Sequence, residues 1–119
     1  MIKNLLNFNN GRSALSVGID ILQIPKDSYV LVPEIICDVA VKVFIRKKIK
    51  ITFYKLDKYF QPVWRELENL KTLKNKKISA ILMVHFFGYP QNIRNFRKFS
   101  KKNDIYLIED NCHSLNIPI

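Results

Sequence analysis

The sequence predicts an α/β protein: a mostly parallel sheet with helices on both faces. Three observations predict it. Helical and strand-like hydrophobic periods alternate along the chain, an order that requires crossovers between parallel strands. The segments around Val30, Ile81 and Leu107 are nearly continuous apolar runs, as strands covered on both sides must be. Distinctive residues collect where strands end, at Pro33-Glu34, His85 to Pro90, and Glu109-Asp110. In such sheets ligands bind outside the carboxyl ends of the strands.

Gly11 to Ile24 reads as a helix with Leu15, Ile19 and Leu22 at helical spacing and Pro25 as its stop. Tyr29 to Val32 is a short apolar strand closed by Pro33. A second helix runs from about Ile36 to Lys47, with Val39, Val43 and Phe44 on one side. Ile49 to Tyr54 alternates as a half-buried or edge strand does. Pro62 opens a third helix, carrying Trp64, Leu67 and Leu70 inward. Ile78 to Phe87 is a buried strand, broken at Gly88-Tyr89-Pro90. Asn92 to Lys102 is a basic helix with Ile93, Phe96 and Phe99 inward, and Ile105 to Ile108 is the last strand.

With 119 residues, the chain suffices for one domain with a real core, and its 48% apolar content argues against disorder. The longest apolar run, Ile78 to Tyr89, is too short to cross a bilayer, and the start lacks a signal-peptide pattern. Two cysteines, Cys37 and Cys112, suggest reduced thiols and a cytoplasmic protein. The net charge of +10 is mostly lysine, in small clusters where helices end or loops begin. That placement favours a solvated face over a nucleic-acid footprint.

The stretch YLIEDNCHS, Tyr106 to Ser114, drives an apolar strand into two adjacent acids. Either the acids mark where the strand meets water, or one holds a ligand at the strand's carboxyl end. Four segments bear on that choice: Gly11-Arg12-Ser13-Ala14-Leu15, Val32-Pro33-Glu34-Ile35-Ile36-Cys37, Val84-His85-Phe86-Phe87-Gly88-Tyr89-Pro90, and Ile108-Glu109-Asp110-Asn111-Cys112-His113. In order and spacing they resemble the DegT/DnrJ/EryC1/StrS family of pyridoxal-phosphate-dependent sugar aminotransferases. The resemblance runs from about Asn10 to Ser114 and implies an incomplete large domain of the aspartate-aminotransferase type.

The resemblance implies a cofactor, pyridoxal 5'-phosphate, and a cofactor-binding set of Gly11, Arg12, Ser13, Ala14, Cys37, Asp110 and His113. Gly11 to Ala14 would receive the phosphate, where free N–H groups and the helix dipole favour an anion. Asp110 would pair with the protonated pyridine nitrogen, keeping it positive so that the ring draws electrons from the reacting carbon. Glu109 would face the other way and serve structure. His113 stands where many members carry glutamine near the ring's phenolic oxygen, and an imidazole can still donate there. Cys37 takes the place of the aromatic residue that stacks on the ring. His85 is open between a structural and a catalytic role.

The family's Schiff-base lysine lies downstream of the Asp110 motif, and none of the fifteen lysines follows His113. The expectation is therefore a fragment, residues 1–119, forming the N-terminal part of one PLP-binding large domain and inactive alone. The complete enzyme would be a homodimer that moves an amino group from glutamate to a nucleotide-linked keto-sugar, for surface-polysaccharide or antibiotic-sugar synthesis. Two other readings are weighed beside it. A non-enzymatic nucleic-acid-binding module would use the Lys98 to Lys102 helix with Phe86, Phe87 and Tyr89. A metal site from Cys37, His85, Cys112 and His113 is disfavoured, because no close ligand pair such as C-x-x-C exists and adjacent strand residues point to opposite faces.

Overall fold

The computed structural model describes residues 5–70 and 76–113. Its elements alternate as the periodicity predicts: α1 (Gly11–Ile21), β1 (Tyr29–Pro33), α2 (Asp38–Arg46), β2 (Lys50–Tyr54), α3 (Trp64–Asn69), β3 (Ile78–Val84), α4 (Ile93–Asn103) and β4 (Tyr106–Asp110). A single 3-10 turn, Phe86–Gly88, follows β3. The strands form one sheet in the order β2-β1-β3-β4, and every neighbouring pair is parallel.

The side chains divide by strand period into two cores. Val30, Val32, Ala80, Leu82 and Val84 face Ile19 of α1 and Val43 and Phe44 of α2. Leu31, Tyr54, Ile81 and Met83 face Leu67 of α3 and Phe96 and Phe99 of α4. Phe96 is fully buried and meets Trp64 edge-on, with ring centroids 5.0 Å apart. The Tyr54 hydroxyl, in the second core, donates to the Leu82 carbonyl oxygen (2.8 Å), and burial pushes this phenol well above its usual pKa.

Several boundaries differ from those expected, each for a local reason. The first helix stops at Ile21, before Pro25, because Gln23 turns into the left-handed region (φ 53°). Pro62 does not open α3; Val63 is the cap, and Pro62 pairs with Leu56 in an isolated antiparallel bridge. Val39 is 41% exposed, so α2 buries only the Val43-Phe44 part of its expected face. β3 ends at Val84 because Phe87 and Gly88 both take positive φ and curl the chain. β4 packs Leu107 on one core and Ile108 on the other, as a strand covered on both sides does, but it is the edge of the described sheet and its residues are half-buried or exposed. It runs on through Asp110, so both acids belong to the strand rather than following it.

Candidate functional site at the carboxyl edge of the sheet

α1 runs into β1 from the carboxyl edge of the sheet, so its first turn lies at the edge where β4 ends. Asn10 caps the helix, its Oδ1 accepting from Ser13 N (2.9 Å). Ala14 N reaches the Asn10 carbonyl (3.3 Å). Two of the four expected cradle N–H groups are therefore spent inside the helix. The N–H groups of Gly11 and Arg12 have no partner among the described hydrogen bonds, and the Ser13 hydroxyl and Arg12 guanidinium are exposed beside them. That is a donor set suited to a phosphate, with Ala14 only lining it.

The two acids part company by strand alternation. Leu107 packs into the α3/α4 core and Ile108 against the α1/α2 core, so Glu109 follows Leu107 and Asp110 follows Ile108. Asp110 thus stands on the face that α1 covers. Its Oδ1 accepts from Cys112 N (2.9 Å), folding the chain into a tight turn. The same carboxylate accepts from the Cys112 thiol. A Cβ placed on Gly11 would stand 3.0 Å from Cys112 Sγ. The start of α1 and the Asp110 turn therefore lie side by side, and a side chain at Gly11 would crowd the Cys112 thiol.

The hydrogen bond to Asp110, then burial, then the carboxylate's charge push the Cys112 thiol up to about 11. The folded chain keeps this proton between roughly pH 9 and 11, where an unfolded thiol has lost it. The folded state then binds more protons than the unfolded one, and stability falls as pH rises through that window.

His113 lies beyond this turn. Its Nδ1 accepts from Phe87 N (3.1 Å), which in the neutral ring leaves the proton on Nε2, available as a donor. Phe87 pays for the arrangement with a left-handed backbone (φ 55°), a costly conformation for a bulky residue. Gly88 follows at φ 81°, and a Cβ there would meet the His113 carbonyl oxygen at 3.2 Å. Gly88→Ala should therefore lower unfolding free energy by about 1–2 kcal/mol and displace His113. Urea unfolding checks the first effect; unchanged stability would show that the turn relaxes freely.

Cys37 caps α2 without a side-chain cap bond and is exposed at the same edge, beyond β1. Among the described contacts, none joins it to Asp110 or His113. Glu34 is committed elsewhere: its Oε1 accepts from Leu56 N (2.9 Å), tying β1 to the loop after β2. Phe86 is buried, but Phe87, expected at the end of a buried strand, is 67% exposed, and Tyr89 is 77% exposed. They lie at the carboxyl edge, whereas Lys101 and Lys102 end α4 at the opposite edge. Among the described residues no group of three His, Cys, Asp or Glu side chains could hold a metal ion. Nor is any described helix long and apolar enough to cross a membrane.

Sequence reasoning missed one participant. Gln91 is buried, and its N–H donates to His85 Nδ1 (2.9 Å). The only available signal was its position just after Pro90.

The model of the DegT/DnrJ/EryC1/StrS aminotransferase family matches residues 2–117, nearly the whole chain. The chain belongs to that family. It is 25% identical over 118 residues to GDP-perosamine synthase of Vibrio cholerae, covering 99% of this chain and 32% of that protein. It is 31% identical over 67 residues to GDP-4-keto-6-deoxy-D-mannose 3-dehydratase of Yersinia pseudotuberculosis, covering 56% of this chain and 16% of that protein. Among solved structures, a DegT/DnrJ/EryC1/StrS aminotransferase from Brucella abortus superposes with a TM-score of 0.80 at 20% identity, over 89% of this chain and 30% of that one. A GDP-4-keto-6-deoxymannose-3-dehydratase with a trapped PLP-glutamate geminal diamine gives 0.75 at 24%, over 92% and 30%. The fold is that of the PLP-dependent aminotransferases, and the chain spans about a third or less of the length of these relatives.

Proposed function

We propose that this chain is the cofactor-cradling part of the large domain of a PLP-dependent aminotransferase acting on nucleotide-linked keto-sugars, and that it is inactive alone. The observation that carries the proposal is the approach of the start of α1 to the Asp110 turn. A donor set suited to phosphate and a carboxylate on the covered face of β4 converge there. Glutamate would be the amino donor and the complete enzyme a homodimer. The GDP-sugar relatives support a nucleotide-sugar substrate, and polysaccharide or antibiotic-sugar synthesis would be the setting for its product.

The family resemblance assigns each residue a task, and the geometry is compatible with it. The Gly11 and Arg12 N–H groups, the Arg12 guanidinium and the Ser13 hydroxyl would hold the phosphate, with Ala14 lining the turn. Asp110 would place a negative charge beside the pyridine nitrogen and keep its proton in place. His113 would donate from Nε2 toward the phenolic oxygen. Cys37 presents a small thiol where a ring face would rest, a contact with less area than an aromatic side chain provides. Bound there, pyridoxal phosphate would supply an electron sink for the carbon that loses its proton.

The chain's lysines end at Lys102, ahead of β4. The 119-residue chain should therefore bind pyridoxal phosphate reversibly, without covalent attachment at one defined lysine. Borohydride reduction followed by peptide mass mapping checks this. Stoichiometric labelling of one lysine would overturn it. The activity itself is tested by joining residues 1–119 to the downstream part of the Vibrio cholerae relative. Amino transfer from glutamate to a GDP-linked keto-sugar is the expected result, and a folded, inert hybrid would overturn the reading.

A further inference from the structure

We propose that His85 is a positioning residue for Asp110: its ring and backbone clamp the end of β4 to the end of β3, so that Asp110 is held facing the start of α1. His85 is 4% exposed, and every polar atom of its ring is engaged. Nδ1 accepts from Gln91 N (2.9 Å), so the proton of the neutral ring sits on Nε2. That proton goes to Glu109 Oε1 across 2.6 Å. The His85 backbone N–H meanwhile donates to the Asp110 carbonyl oxygen (3.1 Å). One residue therefore grips both the backbone of Asp110 and the side chain of its predecessor.

The ring is itself anchored. Gln91 Nε2 donates to the Phe60 carbonyl oxygen (2.7 Å), tying the clamp to the loop after β2. Among the described strands β4 pairs only with β3, and its residues are at best half-buried, so the clamp adds to a single ladder. Alternation then converts the Glu109 anchor into an orientation. Fixing Glu109 on the α3/α4 face leaves Asp110 on the α1/α2 face, and a loosened strand end would lose that distinction. With both ring nitrogens occupied, His85 has no lone pair to offer a substrate, which settles it as a positioning group rather than a catalytic one.

The functional weight of the clamp rests on the reading of Asp110 as the pyridine partner, but its test needs no cofactor. Cys112 reports on Asp110 directly, through its N–H and its thiol. In a Cys37→Ser background of the 119-residue chain, His85→Asn keeps an acceptor for Gln91 N but removes the donor to Glu109. Glu109→Ala removes the other half while leaving the ring packed. Both should raise Cys112 alkylation by iodoacetamide at pH 8.5, and exchange of its amide, on the order of tenfold or more. His85→Gln, which keeps a donor toward Glu109, should stay closer to the parent. Thiol and amide rates within twofold of the parent in folded Glu109→Ala, whatever the change in Tm, would overturn the proposal. A role confined to holding strands together would lower Tm without moving either Cys112 rate. Failure of the aminotransferase reading would leave these rates untouched, so the two are separable.

Discussion

Asp110→Asn, in the hybrid enzyme completed with a relative's downstream part, should slow the half-reaction with glutamate on the order of a hundredfold or more. The fold should be unchanged. Asp110 ends β4 with its Oδ1 engaged only by the following turn, and an asparagine oxygen can accept the same bond from Cys112 N. What the substitution removes is charge. A carboxylate beside the pyridine nitrogen favours the protonated ring, and a neutral amide does not. The phosphate contacts proposed at Gly11 to Ser13 would remain, so cofactor binding should weaken rather than vanish. The competing account, in which Glu109-Asp110 merely solvates a strand end, requires near-normal rates for the same variant. Rapid-mixing measurement of the glutamate half-reaction separates them.

The same substitution has a signature in the isolated chain. Asp110 is the first cause of the raised Cys112 thiol, through its hydrogen bond and its charge. Removing the charge should bring the thiol down from about 11 toward the ordinary range, so alkylation should begin at lower pH. Agreement of the two measurements would show that one carboxylate governs both the thiol and the reaction.

The alternation of helix and strand was legible because each element carries its own hydrophobic period. Ile19, Phe44, Leu67, Phe96 and the apolar strands faced inward as that period demands. What the period could not show was how the chain turns at the ends of elements. Phe87 illustrates this: an apolar residue in an apolar run, it reads as strand. Its left-handed backbone goes with a hydrogen bond from its N–H to His113, a partner distant in sequence. The opposite faces of Glu109 and Asp110 follow from alternation alone, and were readable. The His85-Glu109 bond was not, because it depends on the register between β3 and β4, where Met83 stands opposite Glu109. Likewise the spending of the Ser13 and Ala14 N–H groups on Asn10 depends on cap geometry, not on composition.

The isolated 119-residue chain should self-associate at micromolar concentrations. β4 is paired on one side only in the described sheet, and an unpaired strand edge is a template for another strand. Tyr106 is 50% exposed on that strand, and Leu107 and Ile108 are only half-covered. β2, the other edge, adds Phe53 at 52% exposure. Both edges expose an aromatic side chain and have no proline inside them, and their charged residues, Lys50 on β2 and Glu109 and Asp110 on β4, sit toward the strand ends. Analytical ultracentrifugation should show species larger than the monomer, with a broad, concentration-dependent thermal transition. Tyr106→Lys places a charge on the exposed part of β4, leaves both cores intact, and should shift the distribution toward monomer. A monomeric parent chain with a sharp two-state transition would contradict the prediction. Oligomers unaffected by Tyr106→Lys would place the contact on β2 or on a helical face instead.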